Sequence, residues 1–220
     1  MRNFSFEEGG YYHVYNRGVD KRQIVMDDYD SGRFVQGLTE FNVVEPIGSI
    51  YENSFKKTQD QLRYLVPKSG GLVNIICYCL NPNHFHLLLQ PISERGIEKF
   101  MHKLGLGYTN YFNKKHKRSG ALFQGTFKAK HVFTDGYIQH LSAYINLNNL
   151  VHKIEGEPSK LVRSSWEEYA EDKKSICRKD IILDQFGDAR EYKTYCTDVL
   201  PMLIENKSLA KELRELGFEE

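Results

Sequence analysis

Two apolar runs joined by three turn-forming residues constrain this chain more than any other feature. Leu72–Leu80 reads as a strand buried on both faces, Asn81-Pro82-Asn83 as a tight turn, and His84–Gln90 as a second strand. Together they predict a β-hairpin at the centre of a sheet. Side chains alternate along a strand, so His84 and His86 share one face and Phe85 takes the other. Neutral imidazoles held side by side on a rigid support suit a divalent metal, and such a metal points to phosphate chemistry. The bland reading is a pair of ordinary surface histidines, and the pair alone does not choose between them.

The remaining elements follow from periodicity. Tyr11–Asn16 is β-prone and ends at Arg17-Gly18, which predicts a first strand. Asp27, Asp28 and Asp30 open a helix whose Phe34, Leu38 and Phe41 recur at helical spacing. Residues 45–70 carry Pro46, Gly48, Pro67 and Gly70 and read as an irregular insertion, with a short helix near Gln59–Leu65. A helix is predicted from Gly96 to about Lys115, a fourth strand over Phe127–Phe133, and a further helix capped by Asp135 and running to about His152. The order β-α-β-β-α-β predicts an α+β fold of the ferredoxin-like, split βαβ kind, an antiparallel sheet with helices. Residues 1–152 form the main domain, and 153–220 read as a helical C-terminal appendage that Trp166 and Tyr169 pack onto it.

No apolar run approaches the ~20 residues of a membrane span, and Met1–Glu8 lacks an apolar signal region, so a cytoplasmic protein is expected. Four cysteines in 220 residues do not suggest a disulfide framework. Cys77 and Cys79 read either as small core residues or as partners of the histidines in a zinc site. A net charge of +1 argues against a uniformly positive surface, but residues 113–131 hold six Lys or Arg and no acid.

On the last core helix His140, Tyr144 and Asn148 lie four apart and line one face. Tyrosine is a competent covalent nucleophile when assisted, and an asparagine carbonyl can ligate a metal. Among 14 tyrosines this is a weak signal, and Tyr108 and Tyr111 compete for the role beside the basic segment.

Four segments in order resemble the single-tyrosine HUH transposases (IS200-like), especially the REP-associated tyrosine transposase branch. They are Tyr12-His13-Val14-Tyr15-Asn16-Arg17-Gly18, Tyr78–Leu89 with its His84-Phe85-His86 core, Tyr111–His116 leading into Ser119–Gly125, and Tyr144-Ile145-Asn146-Leu147-Asn148. They span residues 11–151, and Ser164-Ser165-Trp166 is similar to a tail motif of that branch. Two positions depart from the family pattern. Thr126 stands where an Arg is usual, which weakens a phosphate contact, and Asn149 where a Pro is usual, which lets the helix run on.

The resemblance implies that His84 and His86 are metal ligands, that Asn148 is the third, and that Tyr144 is the catalytic nucleophile. The cofactor is then Mg²⁺ or Mn²⁺. The implied activity is that of a metal-dependent single-stranded DNA endonuclease and strand transferase, cutting near hairpin DNA through a 5′-phosphotyrosine intermediate. The stored bond makes rejoining independent of a nucleotide cofactor, and one tyrosine per chain suggests a homodimer. Lys114, Lys115, Arg118, Lys128 and Lys130 are expected on phosphates. Arg17, Lys21 and Arg22 are expected to grip the backbone, and Asn113 and Gln124 contact bases or cap protein backbone. Tyr111 and Phe112 either stack on bases or pack in the core.

Three rivals remain. One is a domesticated regulator that binds hairpin DNA without cutting. Another is a phosphoesterase that uses water in place of Tyr144. The third is a structural zinc protein built on Cys77, Cys79, His84 and His86.

Overall fold

The computed structural model describes residues 5–48, 50, 71–171, 173 and 175–215. The short helix expected near Gln59–Leu65 lies outside them, as does most of the 45–70 insertion. The described strands are β1 (Tyr11–Arg17), β2 (Val73–Leu80), β3 (His84–Pro91), β4 (Lys128–Val132) and β5 (Arg163–Ser164). They form one antiparallel sheet in the order β4-β1-β3-β2-β5. The first four carry the split βαβ order, with the helices α1 (Asp28–Glu40), α2 (Gly96–Lys115) and α3 (Asp135–Asn146) between and after them. The α+β antiparallel architecture expected from the sequence is therefore present.

Strand alternation sorts the sheet into two faces. Tyr12, Val14, Phe85, Leu87 and Leu89 pack toward α1 and α2, where the Phe34 and Phe85 rings lie 5.2 Å apart. Leu87, Leu88 and Leu89 are fully buried, and each contributes roughly 1.5–3 kcal/mol to folding. Gly107 of α2 allows Phe41 to close this layer. A Cβ there would lie 2.3 Å from the Phe41 ring. Asp27 caps α1 by accepting from the Asp30 amide at 3.0 Å. Past the other end, Asn42 accepts from the Leu72 and Val73 amides and ties α1 to the start of β2.

The opposite face carries α3 and the C-terminal segment. The turn α4 (Asn148–Val151) leads into that segment, which comprises α5 (Glu157–Lys160), α6 (Trp166–Ala170), α7 (Asp180–Leu183) and α8 (Ala189–Glu215). It is not wholly helical, because β5 pairs with β2 through Cys79–Ser164 and Leu80–Arg163. Tyr169 is fully buried and donates to the Ile76 carbonyl at 2.7 Å.

Three local expectations need correction. The cap of α3 is Thr134, whose hydroxyl accepts from the Tyr137 amide at 3.3 Å, and not Asp135. The helix does not run unbroken to His152 either. It ends at Asn146, and Leu147 (φ −103°, ψ 16°) leads into the single turn α4. The helix thus breaks without the proline of the family pattern. The fourth strand is also shorter than expected, since Phe127 and Phe133 lie outside it. Among the described residues no helix is long and apolar enough to cross a membrane.

Candidate active site

The register of the sheet assembles the site. On the α3 face, Tyr15 of β1 pairs with His86 of β3 and Lys128 of β4, and His86 pairs with Cys79 of β2. One turn of pleat further on, Lys130 pairs with His13, and in the other direction Arg17 pairs with His84. Directly opposed residues share a face. The histidines, Tyr15 and the edge lysines therefore occupy one side of the sheet.

Helix α3 lowers Tyr144 onto this side. Its ring centroid is 5.6 Å from that of His86 and 6.3 Å from that of His13. Burial pushes the Tyr144 phenol above its ordinary value, and the Asn148 side chain opposes that shift. Tyr108 and Tyr111 are elsewhere. The Tyr108 hydroxyl donates to the Ile24 carbonyl at 2.6 Å, and that of Tyr111 to Asp30 at 3.0 Å, both toward α1.

His84 is held in one tautomer by Asn83. The Asn83 amide nitrogen donates to the Lys21 carbonyl, which turns Oδ1 toward His84 Nδ1 at 2.6 Å. That oxygen can only accept, so Nδ1 carries the proton and Nε2 presents a lone pair. Nε2 lies 3.2 Å from Asn148 Oδ1, another lone pair. Both converge on Asn81 Nδ2, which stands 2.9 Å from His84 and 2.7 Å from Asn148. Two acceptors aimed at one donor leave a place where a cation is favoured. Asn148 is buried, and its Nδ2 has no hydrogen-bond partner.

His86 is positioned by a residue that sequence reasoning did not single out. His13 Nε2 lies 2.8 Å from His86 Nδ1. Burial, the largest cause, holds both imidazoles below their ordinary range, His13 at about 4 and His86 well below its usual value. His84 is likewise pushed down to about 4 and His152 to about 3, so all four are neutral near pH 7. Neutral imidazoles are the ligand form. Two of them with a carboxamide oxygen fit a divalent cation in donor chemistry.

His152 was also missed. Its ring centroid is 4.7 Å from that of His84, and its spacing, four residues beyond Asn148, was the available signal. His13 was signalled only by its pairing across the sheet. Lys207 of α8 donates to the Val151 carbonyl at 3.3 Å, and its charge helps to depress the pKa of His84, His86 and His152.

The remaining site candidates divide by their partners. Lys128 and Lys130 are exposed on the edge strand, and Lys114 is exposed at the end of α2. Arg17 and Gln124 hold each other at 2.5 Å, and Arg22 lies 3.5 Å from Asp20, all beside exposed Lys21. Lys115 is engaged by Asp27 and the fully buried Asp30. Arg118 donates to Asn113 at 2.7 Å, and Asn113 donates to the Gly120 carbonyl at 2.9 Å, closing the loop after α2. Phe112 is core, while Tyr111 is half-buried.

The cysteines do not join the histidines. Among the described residues the cluster able to hold a metal is His84, His86 and His152. Cys77 and Cys79 are free and fully buried, and burial pushes the Cys79 thiol up to about 12. A cavity of about 710 Å³ lies on the α1–α2 side, lined in part by Phe34, Phe85 and Glu98. It touches none of His84, His86, Tyr144 or Asn148 and is not where this chemistry converges.

The His84-Phe85-His86 strand and the Tyr144–Asn148 turn both fall within a family match. Residues 57–148 carry the signature of the family described as "Transposase IS200 like". The resemblance read from the sequence is thereby borne out. The IS200-like match takes in the hairpin, α2, β4 and α3 and ends at Asn148, while β1 and His13 lie outside it. In fold, the chain is similar to a solved structure of a REP-associated tyrosine transposase bound to a REP hairpin. That likeness has a TM-score of 0.52 at 12% identity and covers 80% of this chain and 88% of the other. No curated protein sequence matches the chain.

Proposed function

We propose that this protein is a metal-dependent single-stranded DNA endonuclease and strand transferase that cuts near hairpin DNA and carries the cut end on Tyr144. The observation that carries the reading is the convergence of His84 Nε2 and Asn148 Oδ1 on one point, with His86 and the Tyr144 phenol packed beside it. The IS200-like signature supports a DNA-processing role. The fold's likeness to a hairpin-bound transposase supports hairpin DNA as partner.

In this reading His84, His86 and Asn148 hold Mg²⁺ or Mn²⁺, the ions the family resemblance implies. A bound divalent ion supplies Lewis-acid polarisation of a phosphate oxygen. Asn83 and His13 keep the two imidazoles in the ligating tautomers, with the proton on each Nδ1. Tyr144 Oη attacks phosphorus, and the P–O3′ bond breaks. The phenolic proton is the one that ends on the freed 3′-hydroxyl. The product is a 5′-phosphotyrosine whose bond energy allows a second 3′-hydroxyl to reverse the step without a nucleotide cofactor.

Residues 1–152 carry this chemistry, and residues 153–220 brace it. Exposed Lys114, Lys128 and Lys130 contact phosphates, and Arg17, Lys21 and Arg22 grip the strand near His84. Lys115, Arg118, Asn113 and Gln124 act through the loops they hold. Two cuts need two nucleophiles, so the working form is a homodimer, in the cytoplasm.

The test uses end-labelled single-stranded hairpin oligonucleotides from DNA flanking the gene, with Mg²⁺ or Mn²⁺, resolved on denaturing gels. A covalent protein–DNA band that needs metal and is lost in Tyr144→Phe is expected. Cleavage that survives in Tyr144→Phe indicates water as nucleophile. Binding without a covalent band, across several hairpins and both metals, indicates a regulator.

A further inference from the structure

The metal reading above names two imidazoles and one carboxamide, yet a third imidazole stands at the same place. The ligand nitrogens of His84, His86 and His152 all lie within 4.8 Å of one another. His152 follows Asn148 by one helical turn, and its amide donates to the Asn148 carbonyl at 2.9 Å, so α4 presents both side chains together. Its ring is tilted 46° to that of His84. We propose that His152 is an additional metal ligand and that the site therefore selects an imidazole-preferring first-row ion, of the Mn²⁺, Co²⁺ or Zn²⁺ class, over Mg²⁺.

The selection follows from donor chemistry. Mg²⁺ prefers oxygen ligands in near-octahedral order and gives up its water reluctantly. Three neutral nitrogens with one carboxamide oxygen favour first-row ions, with affinity rising from Mn²⁺ toward Co²⁺ and beyond. Metal–nitrogen bonds of about 2.0–2.1 Å put tetrahedral ligands roughly 3.4 Å apart, so the imidazoles must close by about 1.4 Å at most. His152 is half-buried and caps a single turn of helix, so its ring is not enclosed in the core. Lys207 opposes any cation here, and an anionic phosphate arriving with the substrate offsets that charge.

The test measures binding, not turnover, and rests on the metal reading in a way that can be separated from it. Chelator-treated protein is titrated with Mg²⁺, Mn²⁺, Co²⁺ and Zn²⁺ by calorimetry, as wild type, His152→Ala, His152→Gln and His84→Ala. The expected result is one site at least 100-fold tighter for Co²⁺ or Zn²⁺ than for Mg²⁺. Both His152 variants are expected to lose tenfold or more in Co²⁺ affinity, with Mg²⁺ binding unchanged. X-ray absorption on Zn²⁺-loaded wild type, which needs no variant, is expected to count three imidazoles. Two imidazoles, or full Co²⁺ affinity in both His152 variants with loss only in His84→Ala, overturns the role of His152 and leaves the metal site standing. Equal binding by wild type and His84→Ala overturns the metal reading itself.

Discussion

His13 Nε2 and His86 Nδ1 share a single proton across 2.8 Å, inside the sheet and beneath Tyr144. If His86 ligates through Nε2, that proton resides on His86 Nδ1, and His13 accepts it. His13 is then a positioning residue that sets the tautomer and the ring plane of a ligand. His13→Ala is expected to lower metal affinity by about 10–100-fold. His13→Gln, whose side-chain oxygen can accept the same proton, is expected to recover part of it. Calorimetric titration of the three proteins checks both. Unchanged affinity in His13→Ala would mean that the imidazole pair only packs.

The same burial makes the metal-free protein acid-sensitive. His13 and His84 are pushed down to about 4 in the fold, against about 6.5 in the unfolded chain. Between those values the unfolded state takes up protons that the native state refuses, so stability falls as pH drops through 6.5 toward 4. For His13 alone the loss is on the order of 3 kcal/mol by pH 4. Urea unfolding in chelator at pH 7, 6, 5 and 4.5 is expected to show a steadily falling midpoint. A flat midpoint across that range contradicts the buried, neutral state of these imidazoles.

Two tail hydroxyls, those of Tyr192 and Ser165, meet α3 at Asn146. Tyr192 of α8 is fully buried, and its hydroxyl accepts from Asn146 Nδ2 at 2.8 Å and lies 3.0 Å from Ser142 Oγ. Asn146 also accepts from Ser165, which bonds the backbone of Tyr78 in β2. Tyr192→Phe strands the Asn146 amide in the core and is expected to cost about 1–3 kcal/mol. Half-buried Tyr195 serves as control, with Tyr195→Phe expected within about 0.5 kcal/mol of wild type. Denaturant unfolding measures both.

The basic residues separate into two groups by what they already touch. Lys114→Ala, Lys128→Ala and Lys130→Ala are each expected to reduce the salt dependence of single-stranded DNA binding by about 0.7 in log–log slope, without changing stability. Lys115→Ala is expected to do the reverse, because it removes the lysine charge from completely buried Asp30 and leaves that carboxylate with Tyr111, His116 and the Met26 amide. Its cost to stability is about 1–3 kcal/mol, with the slope retained. Fluorescence anisotropy at several salt concentrations, paired with thermal unfolding, distinguishes the groups.

Much of this arrangement was legible in the residues. The apolar hairpin, the order of elements and the shared face of His84 and His86 follow from period-2 and period-3.6 patterns, while Tyr144 was singled out by the family resemblance. What escaped depends on partners far away in sequence. His13 reads as one residue of a β-prone run until the sheet sets it diagonally across from His86. His152 reads as the end of a helix until the break at Leu147 turns α4 toward His84. Lys115 looks like its exposed neighbour Lys114 until α1 brings Asp27 and Asp30 beneath it. The fifth strand is only two residues long, too short for any alternation to signal it.

The most direct measurement is the identity of the residue bonded to DNA. Wild-type protein is reacted with a hairpin oligonucleotide and divalent metal, digested with nuclease and trypsin, and the nucleotide-bearing peptide is sequenced by mass spectrometry. The expected result is a 5′-linked nucleotide on Tyr144, with none on Tyr108, Tyr111 or Tyr137. Modification of another tyrosine, or cleaved DNA with no modified peptide, contradicts the assignment of Tyr144 as the nucleophile.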